Sequence, residues 1–279
     1  MTDPRLPHHA SLTFGLAFVP PSALGPVAEG GAGPAETLVT ACRELDATFA
    51  FVPAREQWAH AALELLLEAD VGVFWAVDGP LWPVLARRGL AEGLRDTLLE
   101  PDSIAAELGE ALSDAEAVAL DGLDRGARGI VVAEDLAGST GPLVAPDFAI
   151  ETLLPRLATL VQVANDKGVP AVLHSDGDIR PLLGAVRRAG FSAVHAGGGL
   201  SFDAFDRLFW AARSEELAVL GGLQTTELTS LTKAEVLGSR VGLLARAGGL
   251  LVADDGGITT TGEVVALAHA LAAARSAAG

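Results

Sequence analysis

The segment Ala171-Val172-Leu173-His174-Ser175-Asp176-Gly177-Asp178 carries a short apolar run into a histidine and two acids, then turns on a glycine. His174 and Asp176 stand two residues apart, so on an extended chain both side chains leave on one side. A histidine nitrogen next to a carboxylate can ligate a divalent metal or work as an acid/base pair. Similar groups recur along the chain. Glu134 and Asp135 follow Gly129–Ala133, His195 leads into Gly197-Gly198-Gly199, and Asp254 and Asp255 precede Gly256-Gly257. Asp78, Arg55 and Gln224 also stand just beyond apolar runs. Neighbours on a strand face opposite ways, so one member of each adjacent acid pair is expected to enter a shared site. Asp254 and Asp255 are equal candidates on this ground, and the glycines after them suit a tight turn as well. The two glycine clusters offer backbone N–H groups to an anion. Asp178 is placed to cap a helix starting near Ile179.

The elements that must position these groups alternate from end to end. Strand-length apolar runs are Leu12–Val19, Thr48–Val52, Val71–Val77, Gly129–Ala133, Ala171–His174, Ser192–His195, Ala218–Gly222 and Leu250–Ala253. Helix-period segments lie between and after them: Ala35–Leu45, Trp58–Glu68, Ser103–Asp121, Ile150–Lys167, Ile179–Ala189, Phe202–Ala212, Lys233–Ala247 and Gly262–Ala274. Strand–helix alternation predicts a parallel sheet covered by helices. Eight such units favour a closed (β/α)₈ barrel over an open sheet, with its site at the strands' C-terminal ends. The expectation is one barrel domain over residues 1–279, with a loose segment at 1–10 in which His8 and His9 take no site role. Pro20–Pro34, rich in glycine and proline, reads as a loop.

Composition narrows the classes. The 279 residues carry a net charge of −17, and the only lysines are Lys167 and Lys233, which argues against a nucleic-acid partner. Half of the residues are apolar and the mean hydropathy is +0.38, enough for a large core. Asp78, Gly79 and Pro83 interrupt the most apolar stretch, so no membrane span is expected. Met1-Thr2-Asp3-Pro4-Arg5 lacks a signal-peptide layout, which points to the cytoplasm. A single cysteine, Cys42, excludes an internal disulfide and a cysteine-cluster metal site.

From Trp75 onward the chain resembles the uroporphyrinogen decarboxylase superfamily, which also holds corrinoid- and thiol-dependent methyltransferases. Three passages carry the resemblance. The first is Val77-Asp78-Gly79-Pro80 with the Leu98–Asp121 region after Glu100-Pro101-Asp102. The second runs from Gly126-Ala127 through Glu134-Asp135 and Gly141-Pro142-Leu143-Val144-Ala145-Pro146 to Leu154-Pro155. The third is Val169-Pro170 through Asp178-Ile179 with Leu182-Leu183. The resemblance implies a (β/α)₈ barrel with its site in the C-terminal mouth. In the zinc methyltransferase branch a His-x-Cys pair follows strand 5; His174 matches the histidine, and Asp176 stands where the cysteine would be. Asp254 or Asp255 lies where a late ligand is expected. A carboxylate in place of a thiolate makes a harder site, suited to an ether or amine rather than a thiol. The arginine-rich opening of the heme-pathway decarboxylase has no counterpart here.

The resemblance therefore implies a methyltransferase-like enzyme that moves a methyl group between a small methylated compound and a corrinoid protein. His174, Asp176 and Asp254 or Asp255 would hold zinc or another divalent metal. Asp135, preferred over Glu134 by the likeness, and His195 would manage the proton, while Asp78, Arg55 and Gln224 would meet the substrate. The corrinoid would arrive on a separate protein, and a homodimer is implied by the same likeness. The alternatives are a metal-independent decarboxylase or lyase of a small carboxylated compound, oriented by Arg55, Arg87, Arg88 or Arg180, and a binding barrel without chemistry.

Overall fold

The computed structural model describes residues 12–24 and 33–279. His8, His9 and the expected loose segment 1–10 lie outside the described residues, as does the middle of the 20–34 loop. Eight strands run parallel: β1 (Phe14–Leu16), β2 (Phe49–Pro53), β3 (Gly72–Asp78), β4 (Gly129–Ala133), β5 (Ala171–Ser175), β6 (Ala193–Ala196), β7 (Ala218–Leu223) and β8 (Leu250–Asp254). Each pairs with its neighbours in the chain, and β8 returns to β1 through Phe14–Val252 and Gly15–Ala253, so the sheet closes into the expected barrel.

The two-residue period of each strand sorts side chains between two cores. Phe49, Phe51, Phe74, Val131, Val172, Ala193, Leu220, Leu251 and Ala253 pack against one another inside the barrel. Val132, Leu173, Val194, Val219 and Val252 belong to the larger core beneath the helices. The interior depends on aromatic rings where facing residues are small. Gly15 sits opposite Phe49, and a Cβ at that position would overlap the phenyl ring. Burying each such ring contributes ~1.5–3 kcal/mol.

Two elements differ from expectation. The first strand ends at Leu16 rather than Val19 because Phe18 takes a left-handed backbone, φ 57°. The region between β3 and β4 is three helices, Leu81–Arg88, Leu90–Leu99 and Pro101–Asp124. Gly89, at φ 90°, breaks the first junction and Pro101 opens the third helix, where its missing N–H costs nothing. No helix among the described residues is long and apolar enough to cross a membrane.

Glu134, one step beyond β4, alternates to the outer face and is wholly buried. Its Oε2 accepts a hydrogen bond from Leu81 N at 3.0 Å, at the N-terminus of helix Leu81–Arg88. Gly79 lies against this carboxyl, where a Cβ would overlap Oε2. Burial pushes the Glu134 pKa from 4.5 to about 8, with smaller upward pushes from Asp135 and Asp78. The folded state therefore holds a proton there that the unfolded chain releases. Stability from this group is full below pH 4.5 and is lost as pH rises towards about 8. Glu134→Gln mimics the protonated acid and should melt close to the parent at pH about 5. At pH about 9 it should be the more stable by at least about 1 kcal/mol in a thermal melt. A gap that does not widen with pH would show Glu134 to be ionised in the folded protein.

Candidate metal centre

The inward-facing series of four strands continue into polar groups at the mouth: Ala76 into Asp78, Val131 and Ala133 into Asp135, Val172 into His174 and Asp176, and Leu251 and Ala253 into Asp255. Ala133, His174 and His195 lie level across β4, β5 and β6. His174 Nε2 is 3.6 Å from Asp135 Oδ1 and 3.9 Å from Asp176 Oδ1. One ligand atom from each of the three residues lies within 4.8 Å of the other two. The carboxylates are oriented by backbone amides. Asp176 N donates to Asp135 Oδ1 at 2.9 Å, and Gly198 N donates to Asp176 Oδ1 at 2.8 Å. A Cβ on Gly197 would overlap Asp176 Oδ1 and come within 2.7 Å of His174 Cε1. Of the Gly197–Gly199 amides expected to face an anion, Gly198 N meets the chain's own Asp176, while Gly197 N donates to the Ser175 carbonyl.

This donor set fits a divalent ion. Imidazole nitrogen and carboxylate oxygen are both ligand types that zinc accepts, and two carboxylates suit harder divalent ions too. Acceptors facing one another at these distances repel unless a cation or a proton lies among them. Burial and the neighbouring Asp135 hold the Asp176 pKa above the usual carboxylate range.

The remaining expected site residues are placed differently. His195 is wholly buried, with Nδ1 2.7 Å from His174 Nδ1 and Nε2 2.9 Å from the Asp254 carbonyl oxygen. Both ring nitrogens are engaged inside the protein, so His195 does not reach substrate as an acid or base. Burial keeps both histidines neutral, pushing His174 down to about 4 and His195 to about 3. Asp254 faces outward, and its carboxylate accepts from Ala17 N at 2.9 and 3.1 Å. Asp255 faces the mouth but is committed to Thr225 N at 2.9 Å, to Thr225 Oγ1 and to Gly257 N at 3.0 Å. Neither acid joins the group around His174, and Asp135 takes the place expected of a late ligand. Asp178 accepts from the Arg180 amide at 3.2 Å and from its guanidinium at 2.6 Å.

A cavity of about 540 Å³ opens above these residues, lined by Phe18, Asp78, Trp82, Asp135, His174 and Asp176 among others, with no lysine or arginine among the described residues of its wall. Arg55 lies beside it, bound to Asp78 at 2.9 Å and to Asp114. Arg88 is bound to Asp96 and Glu107, Arg87 lies 3.9 Å from Glu107, and Arg180 is held by Asp178. Gln224 is wholly buried, its amide atoms have no partner among the described residues, and it is not part of the cavity wall. Phe18, which sequence reasoning missed, lies over His174 with ring centroids 4.9 Å apart. Its positive φ has no signature in residue type.

No family model matches the sequence, and no curated protein matches it. The fold is similar to solved barrels. A methyltransferase from Methanosarcina mazei aligns with TM-score 0.59 and 19% identity, over 78% of this chain and 63% of that one. The chain thus spans less than two thirds of that methyltransferase. A 3-keto-D-glucoside 4-epimerase from E. coli aligns with TM-score 0.60 and 13% identity, covering 95% of this chain and 99% of the epimerase. A xyloglucan-specific β-1,4-glucanase from a ruminal metagenomic library gives TM-score 0.60 at 10% identity, covering 96% of this chain and 94% of the glucanase. At these identities the likeness establishes the barrel, and the neighbours are enzymes of different chemistries.

Proposed function

We propose that this chain is a methyl-transferring barrel enzyme acting on a small neutral or cationic methylated compound, an amine or ether, with a separate corrinoid protein as the other methyl carrier. The observation that carries the reading is the convergence of Asp135, His174 and Asp176 on the wall of a cavity with no lysine or arginine among its described residues. The resemblance in passages around Asp78, Asp135 and His174 supports methyl transfer, and the barrel is a fold shared with the Methanosarcina mazei methyltransferase.

Asp135, His174 and Asp176 would hold a divalent ion, with zinc the first candidate. When bound, such an ion supplies Lewis-acid polarisation of the heteroatom that carries the methyl group. The chain's own residues do the rest. Asp78, with a side chain 59% exposed and Arg55 Nε on one oxygen, presents negative charge to a cationic substrate. Phe18 and Trp82 add aromatic surface of the kind that receives methylated ammonium groups. The cavity volume suits a small ligand. A carboxylated substrate finds no free lysine or arginine among the described residues of this wall, which disfavours decarboxylase or lyase chemistry.

Protein purified without chelator should carry about one divalent ion per chain by elemental analysis. His174→Ala and Asp176→Asn should each lose most of it while still melting cooperatively; an unchanged stoichiometry in folded His174→Ala would remove the metal assignment. Asp78→Asn should keep the ion yet raise KM for a methylated amine about tenfold in a corrinoid-coupled demethylation assay. Amine binding without turnover in that assay would identify a binding barrel instead. Gly197→Ala should weaken metal binding about tenfold by displacing Asp176. Gly109→Ala, at a position with nothing within 4 Å of a new Cβ, should leave binding unchanged.

A further inference from the structure

The hydrogen-bond chain behind His174 starts from a group with no proton to give. The Asp254 carbonyl oxygen can only accept, so His195 Nε2, 2.9 Å away, carries the hydrogen. A neutral ring with Nε2–H has a bare Nδ1. That bare nitrogen lies 2.7 Å from His174 Nδ1, and two lone pairs at this distance would repel, so His174 Nδ1 donates. A neutral His174 with Nδ1–H leaves Nε2 bare, and this is the atom that lies 3.6 Å from Asp135 and 3.9 Å from Asp176.

We infer that His195 is a positioning residue: through His174 Nδ1 it selects the tautomer of His174 whose Nε2 lone pair faces Asp135 and Asp176. The carbonyl that begins the chain is itself fixed. Asp254 closes β8 in register with Leu223 of β7, and its carboxylate is anchored on Ala17 N. His195 is wholly buried, with Phe51 and Phe18 rings 5.1 and 6.1 Å from its own, so no solvent proton competes for either nitrogen. A ligating histidine needs its second nitrogen held by a partner that sets ring orientation and tautomer, and losing such a partner costs 10–100-fold in affinity.

Two measurements test this, and they separate it from the metal assignment, on which its consequence for affinity rests. Long-range proton–nitrogen correlation on uniformly ¹⁵N-labelled, metal-free protein reads the tautomers directly, with His174→Ala and His195→Leu used for assignment. His174 should carry hydrogen on Nδ1 and His195 on Nε2; hydrogen on His174 Nε2, or a charged His174 at neutral pH, would overturn the inference. Zinc titration should then find His195→Leu weaker by ~10–100-fold at a near-parental melting temperature, with His195→Gln, which keeps one donor and one acceptor, recovering most of the loss. Parental zinc affinity in folded His195→Leu would also overturn it. Parent protein that takes up no zinc would sink the metal reading while leaving the tautomer result to stand or fall on the spectrum.

Discussion

The closed parallel ladder admits only two directions for a strand side chain, towards the barrel axis or towards the helices, and the mouth is built on that restriction. Glu134 and Asp135 are chemically alike, yet one is a buried acid at a helix start and the other a wall of the cavity. Asp254 and Asp255 divide the same way. Asp254 then acts through two groups at once: its carboxylate takes Ala17 N where the short β1 ends, and its carbonyl faces His195. The seam that closes the barrel and the chain that orients His174 share a residue. Disturbing the seam would disturb the site, although the cavity lies on the other face of the strand.

Amides rather than cations hold three acids of the mouth, Asp135, Asp176 and Asp255, while Asp78 pairs with Arg55. Asp135 accepts from Asp176 N, Asp176 from Gly198 N, and Asp255 from Thr225 N and Gly257 N. An amide dipole orients a carboxylate without cancelling its charge, so the cavity keeps a negative field. Two unit charges about 4 Å apart interact by ~4 kcal/mol at an effective dielectric of about 20, enough to dominate the choice between an anionic and a cationic ligand. Arg55, Arg88 and Arg180 stand beside or behind the wall, and each is paired with acids. A divalent ion between Asp135 and Asp176 would offset their two charges and leave Asp78 and Asp255 to bias the field. The negative bias of the mouth survives either way.

Much of the barrel was legible because period and order are sequence properties: all eight strands lie within the expected runs or one residue past them. The His174–Asp176 pair was legible for the same reason, since a spacing of two on a strand means one face. What could not be read is set by partners far away in the chain. Asp254 was an even choice against Asp255 until Ala17 N, 237 residues earlier, claimed its carboxylate. His195 had the residue type and position of a proton carrier, and its burial with both ring nitrogens on protein partners shows only in the fold. Of the amides at Gly197–Gly199, Gly198 N faces a negative charge, and that charge is the chain's own Asp176. The long helical region before β4 divided at Gly89 and Pro101, residues whose breaking role was visible in type.

Phe18 ties these strands of argument together. Alternation from Ala17 would send its side chain outward, away from the mouth; a left-handed backbone at φ 57° turns it back over the barrel instead. That conformation costs a non-glycine residue ~1–2 kcal/mol, so contacts on the ring must compensate. They are present: Phe51 at 5.3 Å, His174 at 4.9 Å and His195 at 6.1 Å. The ring shields the histidine pair from water, and that shielding keeps both imidazoles neutral. A neutral pair can pass hydrogen-bond direction from the Asp254 carbonyl to His174 Nε2, whereas a protonated pair cannot. The strained residue at the end of β1, the seam at the end of β8 and the nitrogen facing two aspartates are parts of one arrangement, in which apolar packing sets the state of the polar atoms.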